Sequence, residues 1–141
     1  MEKKPKVIKT RIQARPEQLK LLRGVVRDAV HMSGCSDKTV DRVVLAVNEA
    51  GMNIIQHAYK NNPEGEIILE IIDNDTELLF RVTDFAEPVD TKNIKPRSLD
   101  DVRPGGLGTH FINEIMDEVV YSVPKCGVGN QLVMKKTIKS D

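Results

Sequence analysis

GEIILEIIDNDTELLFRVTD, residues 65–84, holds two apolar runs, GEIILEII and ELLFRVTD, on either side of Asp73-Asn74-Asp75-Thr76. The break is turn chemistry, because Asp and Asn hydrogen-bond their own backbone and tolerate left-handed dihedrals. Two β-type runs around such a break predict an antiparallel hairpin. With a side-chain period of two, Leu78, Phe80 and Val82 face one side and Leu79, Arg81 and Thr83 the other.

Upstream of the hairpin, KVIKTRIQ (6–13) alternates weakly and suits an edge strand. Pro16 stands where a first helical turn tolerates it. Leu19, Leu22, Val25, Val26 and Val30 then recur at helical spacing, and that helix ends near Ser33-Gly34. Ser36 is a good N-cap for a second helix, with Asp37 in its first turn. Val40, Val43, Val44, Val47, Gly51, Ile54, Ile55 and Ala58 form its broad buried stripe, and Asn61-Asn62-Pro63 ends it. Gly51 costs about 1 kcal/mol relative to Ala inside a helix, so close approach of another element is its expected compensation.

Downstream, residues 85–106 lose all periodicity and read as a long loop, a length that usually signals function or disorder. Leu107, Phe111, Ile112 and Ile115 restore helical spacing. VVYSV (119–123) and NQLVMKKTI (130–138) read as a closing hairpin joined at Pro124–Gly129. The order β-α-α-β-β-loop-α-β-β predicts one α+β domain over 1–141. It is a two-layer sandwich, a mixed and mostly antiparallel sheet with three helices on one face.

Composition narrows the function. The chain has 141 residues, with 21 basic and 21 acidic side chains and no Trp. A net charge of zero gives no bulk attraction to nucleic acid or an anionic membrane. No apolar run approaches the roughly 20 residues of a membrane helix, and the charged N-terminus has no signal core. Cys35 and Cys126 stand far apart without a CxxC or zinc pattern, which suits reduced thiols in a cytoplasmic protein.

Three segments carry candidate chemistry. In VNEAGMNIIQHAYK (47–60), Glu49, Asn53, Gln56 and Lys60 fall within about 60° of one another on an α-helix, with His57 slightly to the side. A carboxylate there can accept a proton from an attacking hydroxyl, and an Asn oxygen is a hard neutral ligand suited to Mg²⁺. The same row also fits the solvated face of an amphipathic helix. In RVTDFAEPVD (81–90), Asp84 closes a strand, where a carboxylate can accept a hydrogen bond from an exocyclic amine or simply start a turn. In RPGGLGTHFINEIMDEV (103–119), Gly105, Gly106 and Gly108 precede a helix, whose free N–H groups and dipole suit a phosphate. A tight helix entry explains those glycines equally well, and the pattern is not a Walker A loop.

In this order and spacing, the three segments resemble the ATP-binding domain shared by histidine kinases and gyrase-type ATPases. Within it the chain is most similar to the small anti-sigma factor serine/threonine kinases of bacteria. LAVNEAGMNIIQHAY looks like their N box, VTDFAEPVD their first glycine box, PGGLGTHFINEIMDEVVYS their second, and GNQLVMKK their last strand. The resemblance implies the Bergerat-type ATP-binding fold. It implies that Glu49 is the general base for a protein serine or threonine, that Asn53 holds Mg²⁺ against the phosphates, and that Asp84 binds the adenine amine. It assigns His57, Ala86, Arg103, Gly105, Gly106, Leu107, Gly108 and Thr109 to the nucleotide. It makes 89–104 a lid, with Lys92, Lys95, Arg97 or Arg103 available to the γ-phosphate. Ala86 departs from the family, which usually has glycine there; Ala adds a methyl and disfavours positive φ.

The implied partners are ATP or ADP, an anti-anti-sigma protein and a sigma factor, without direct nucleic-acid or membrane contact. A nucleotide-binding module that switches partners without transferring phosphate is the alternative. Kinases of this type are often homodimers, and Leu19, Leu22 and Val26 suit either a core or an interface.

Overall fold

The computed structural model describes residues 5–86, 107–124 and 127–138, the side chains of 107–110 excepted. The chain runs β1 (Lys6–Gln13), a 3-10 turn opened by Pro16, α1 (Leu19–Met32), α2 (Asp37–Asn53) and a π turn (Ile54–Ala58). It continues through β2 (Glu66–Asp73), β3 (Glu77–Asp84), α3 (Leu107–Ile115), β4 (Glu118–Ser122) and β5 (Asn130–Thr137). The strands form one sheet in the order β1-β2-β3-β5-β4, and all four ladders are antiparallel.

The hairpin that decides the fold forms through its turn. Asp73 Oδ1 accepts from the Asp75 N–H at 2.8 Å, Asp75 takes φ of 72°, and the Asn74 N–H donates to the Glu77 carbonyl at 3.0 Å. This is the local Asx bonding that makes Asp-Asn-Asp a turn former. Its register then sets the faces: Ile71 pairs with Phe80, and Phe80 with Met134. Phe80, Leu78, Val82, Ile67, Leu69, Ile71, Leu132 and Met134 are buried beneath the helices. The opposite face carries Leu79, Arg81 and Thr83, all half-buried, with Arg81 and Glu70 paired at 3.5 Å.

The helices form for the reasons their sequences give. The Ser36 Oγ accepts from the Thr39 N–H at 3.2 Å and starts α2. Gly34, at φ of 87°, lets the chain leave α1. Leu19, Leu22 and Val26 are buried within this chain, so they serve its core. α1 and α2 run out and back, and the chain re-enters the sheet at the end it left: Gln13 pairs with Glu66.

Gly51 has the close neighbour its cost calls for. A Cβ there would lie 2.7 Å from Leu19 Cδ2. Overpacking of this kind costs typically about 1–3 kcal/mol, which offsets or exceeds the helix-propensity gain of about 1 kcal/mol from Ala. On α3, Ile112 and Ile115 are buried, but Phe111 is exposed and does not share their face. No helix among the described residues is long and apolar enough to cross a membrane.

Candidate functional site

Asp84 closes β3 and is the one buried charged side chain among the described residues, 3% exposed. The strand's alternation forces this position inward: Leu78, Phe80, Val82 and Asp84 share the face under the helices. Its Oδ1 accepts from the Ala86 N–H at 3.0 Å and from Asn130 Nδ2 at 3.0 Å. Burial pushes the carboxyl above the usual carboxylate range, and the bonds from the Asn130 side chain, Ala86 N–H and Asn130 backbone pull it back. A carboxylate offers about four acceptor positions, so these three donors leave room for another. An exocyclic amine is a donor of the kind such a position accepts.

The wall behind Asp84 is tight. Gly129 has φ of 85°, and a Cβ there would run into the Asp84 carbonyl and approach the Phe85 Cα at 3.1 Å. No L side chain fits between the two strands at this point. Ala86 does not take positive φ; the non-glycine residues that do are Lys60, Asn61 and Asp75 among the described residues. Its methyl therefore carries no left-handed strain, and its N–H closes an Asx turn onto Asp84.

The other candidate residues lie on α2, which is in contact with β3. Glu49 and Asn53 are half-buried, one turn apart, while Gln56, His57 and Lys60 are exposed. Neighbouring Asn48 faces the other way, with its Oδ1 accepting from Arg23 of α1 at 2.9 Å. Glu49 makes no hydrogen bond or ion pair with another described residue, so its carboxylate is not consumed by the packing. After Asn53 the backbone changes pitch. The Tyr59 N–H donates to the Ile54 carbonyl at 2.9 Å, a π-type step, and Lys60 and Asn61 follow with φ of 51° and 65°. The continuous α-helix expected through Lys60 thus gives way at Ile54. A π turn advances each residue by a smaller angle than an α turn, so Gln56 turns away from the row that Glu49 and Asn53 define while His57 turns toward it, and Lys60 lies past the turn at positive φ.

Tyr59 joins the end of this helix to the end of β3. Its hydroxyl accepts from the Phe85 N–H at 2.7 Å and donates to the Glu66 carbonyl at 2.6 Å. The residues that sequence reasoning missed are Tyr59, Gly129 and Asn130. Asn130 opens β5 directly opposite Asp84, and the signal for it was the Gly-Asn pair at the start of the last strand. Tyr59 gave no local signal, because its partners lie 7 and 26 residues further along the chain, on two different strands' ends.

Gly108, Leu107 and Thr109 lie in the first turn of α3, where free N–H groups are expected. Arg103, Gly105, Gly106 and the 89–104 lid, with Lys92, Lys95 and Arg97, lie outside the described residues. Among the described residues no three His, Cys, Asp or Glu side chains cluster as a metal cage. The donor set fits Mg²⁺ in the manner usual for nucleotide sites, with few protein ligands and the remaining positions supplied by phosphate and water. Cys35 is half-buried, and burial holds its thiol above its ordinary range, so it offers no ready nucleophile.

Known proteins resemble this chain in sequence and in fold. The histidine kinase-like ATPase domain matches residues 12–136. A serine-protein kinase RsbW of Staphylococcus aureus is 29% identical, over 100% of this chain and 92% of its own. A serine-protein kinase RsbW of Oceanobacillus iheyensis is 27% identical, over 79% of this chain and 76% of its own. A chain in the crystal structure of the SiaB–SiaC complex from Pseudomonas aeruginosa shares the fold, with a TM-score of 0.64 at 14% identity, over 93% of this chain and 89% of that one. The hairpin, α2 and the strand-end aspartate lie inside the matched region, and the chain belongs to the histidine kinase-like ATPase domain family, with serine-protein kinases among its relatives.

Proposed function

We propose that this protein is an ATP-dependent protein serine/threonine kinase that acts as a cytoplasmic anti-sigma factor and phosphorylates an anti-anti-sigma partner. One observation carries the reading: a buried carboxylate with acceptor capacity to spare is tethered, through Phe85 and Tyr59, to the helix that bears Glu49 and Asn53. The names of the relatives support it.

Bound ATP supplies the phosphoryl group, and a bound Mg²⁺ would supply charge neutralisation there, held by the amide oxygen of Asn53. Asp84 accepts a hydrogen bond from the adenine amine. Ala86, His57, Leu107, Gly108 and Thr109, together with Arg103, Gly105 and Gly106, bind the nucleotide. Glu49 takes the proton from the Ser or Thr hydroxyl as that oxygen attacks. Catalysis in such a site is mostly positioning and charge stabilisation, so removing one group lowers transfer without erasing binding. Phosphorylation puts negative charge on the partner and ends its competition with the sigma factor.

The test is calorimetric titration with Mg·ATP followed by a phosphotransfer assay. Glu49→Ala is expected to bind ATP as wild type does and to transfer no phosphate. Asn53→Ala is expected to lose the Mg²⁺ dependence of binding. Equal transfer rates for Glu49→Ala and wild type would remove Glu49 from the reaction. The same assay separates a second reading, a nucleotide-binding module that sequesters a partner without catalysis. Under that reading wild type binds ATP and transfers nothing.

A further inference from the structure

Tyr59 is half-buried, and its ring packs so closely on Gly65 that a Cβ there would lie 2.5 Å from Cε1. The phenol is pushed above its ordinary range, first by burial, and so stays protonated at neutral pH. A protonated phenol donates one hydrogen bond and accepts others. Here the donated bond goes to the Glu66 carbonyl at the start of β2, and the accepted one comes from the Phe85 N–H. Phe85 follows Asp84 directly, beyond the end of β3. The π turn delivers Tyr59 to that point, since the Tyr59 N–H closes the π-type bond to Ile54.

We propose that Tyr59 is a specificity-positioning residue of the nucleotide site: its hydroxyl fixes the Phe85 backbone, and with it the Asp84 carboxylate, relative to the helix that carries Glu49 and Asn53. The inference rests on the reading of Asp84 as the group that binds the purine. Adenine presents an amine donor at its six position, whereas guanine presents an oxygen acceptor. A carboxylate held in place attracts the first and repels the second. A carboxylate free to shift loses that discrimination before it loses triphosphate binding, because the phosphates are held by other elements.

The experiment compares wild type, Tyr59→Phe, Gly65→Ala and Val26→Ala by titration with ATP and with GTP. Val26 is a fully buried core residue remote from these bonds and serves as the destabilised control. Tyr59→Phe keeps the ring and removes both hydrogen bonds; ATP affinity is expected to fall about tenfold while GTP affinity stays within about twofold of wild type. Gly65→Ala displaces the ring while keeping the hydroxyl, and is expected to move the ATP-to-GTP ratio in the same direction. Val26→Ala is expected to lower the melting temperature and leave the ratio alone.

If Tyr59→Phe and Gly65→Ala keep the wild-type ratio, Tyr59 has only a structural role and the inference is overturned. If wild type binds neither nucleotide, the nucleotide reading itself fails. The tether is then judged by amide exchange in the unliganded protein. Slow exchange of the Phe85 N–H, lost in Tyr59→Phe, supports it, and unchanged exchange overturns it.

Discussion

Asp84 and Asp117 both sit at strand boundaries, yet their surroundings drive them in opposite directions. Asp84 closes β3 facing the core, and burial raises its pKa above the ordinary 3.8. Asp117 precedes β4 in the open, where its Oδ2 accepts from the Thr137 N–H at 2.6 Å. That bond, outweighing slight burial, lowers its pKa below the same 3.8. The difference is water. Solvent reaches Asp117, so its hydrogen bond is a gain to the folded state. Solvent is kept from Asp84, and three donors do not fully replace it.

The two residues therefore contribute opposite slopes to stability against pH. At Asp84 the folded state binds the proton more readily than the unfolded chain, so stability falls as pH rises from about 3.8 through the raised value. At Asp117 the unfolded chain binds it more readily; its contribution is present above 3.8 and is lost as pH falls through the lowered value. A buried carboxylate that costs stability at neutral pH points to a role outside folding.

The largest expected effect comes from forcing the two environments to become alike. Gly129→Val places a branched side chain against the Asp84 carbonyl at positive φ, and is expected to cost about 3 kcal/mol in urea unfolding and to let water reach Asp84. A loss below about 1 kcal/mol would show that β3 and β5 separate here without difficulty. Next, Asp84→Asn removes the buried charge. It is expected to stabilise the protein at pH 7, a gain that shrinks to nothing as pH falls below 3.8, while ATP affinity drops at least about tenfold. A variant less stable than wild type at pH 7 would mean that the carboxylate is needed for folding. Smallest is Asp117→Asn. Screening by solvent limits its cost to about 0.5 kcal/mol at pH 7, and thermal melts of variant and wild type are expected to converge as pH falls below 3.8.

The frame was legible because its signals are local. The Asp-Asn-Asp turn, the period-two faces of β3, the Ser36 cap and the Pro16 entry each depend on residues a few positions apart. The need for a neighbour at Gly51 was readable too, but not that Leu19 would be the neighbour, since the pairing depends on how α1 crosses α2. The site was legible only in part. Asp84 follows from strand alternation carried one step past Val82. The half-buried row of Glu49 and Asn53 follows from α periodicity. That periodicity fails at Ile54, because a π turn is a change in hydrogen-bond partner rather than in residue type, and IIQHA suits either pitch. Phe111 misled for a related reason: apolar spacing gives a stripe but not its width, and this side chain falls beyond the edge that α3 buries. Tyr59 and Asn130 matter through partners 26 and 46 residues away, which no window of the sequence contains.

The strand order also has a consequence for how the chain is made. β5 is the last in sequence of the sheet's five described strands but lies between β3 and β4, inside the sheet. While a ribosome is still extending the chain, β3 stands as a bare edge, and Asp84 lacks Asn130 and the glycine pressed against it. The corner around Asp84 is thus completed only after the other four strands of the sheet have been made and β5 has threaded between β3 and β4.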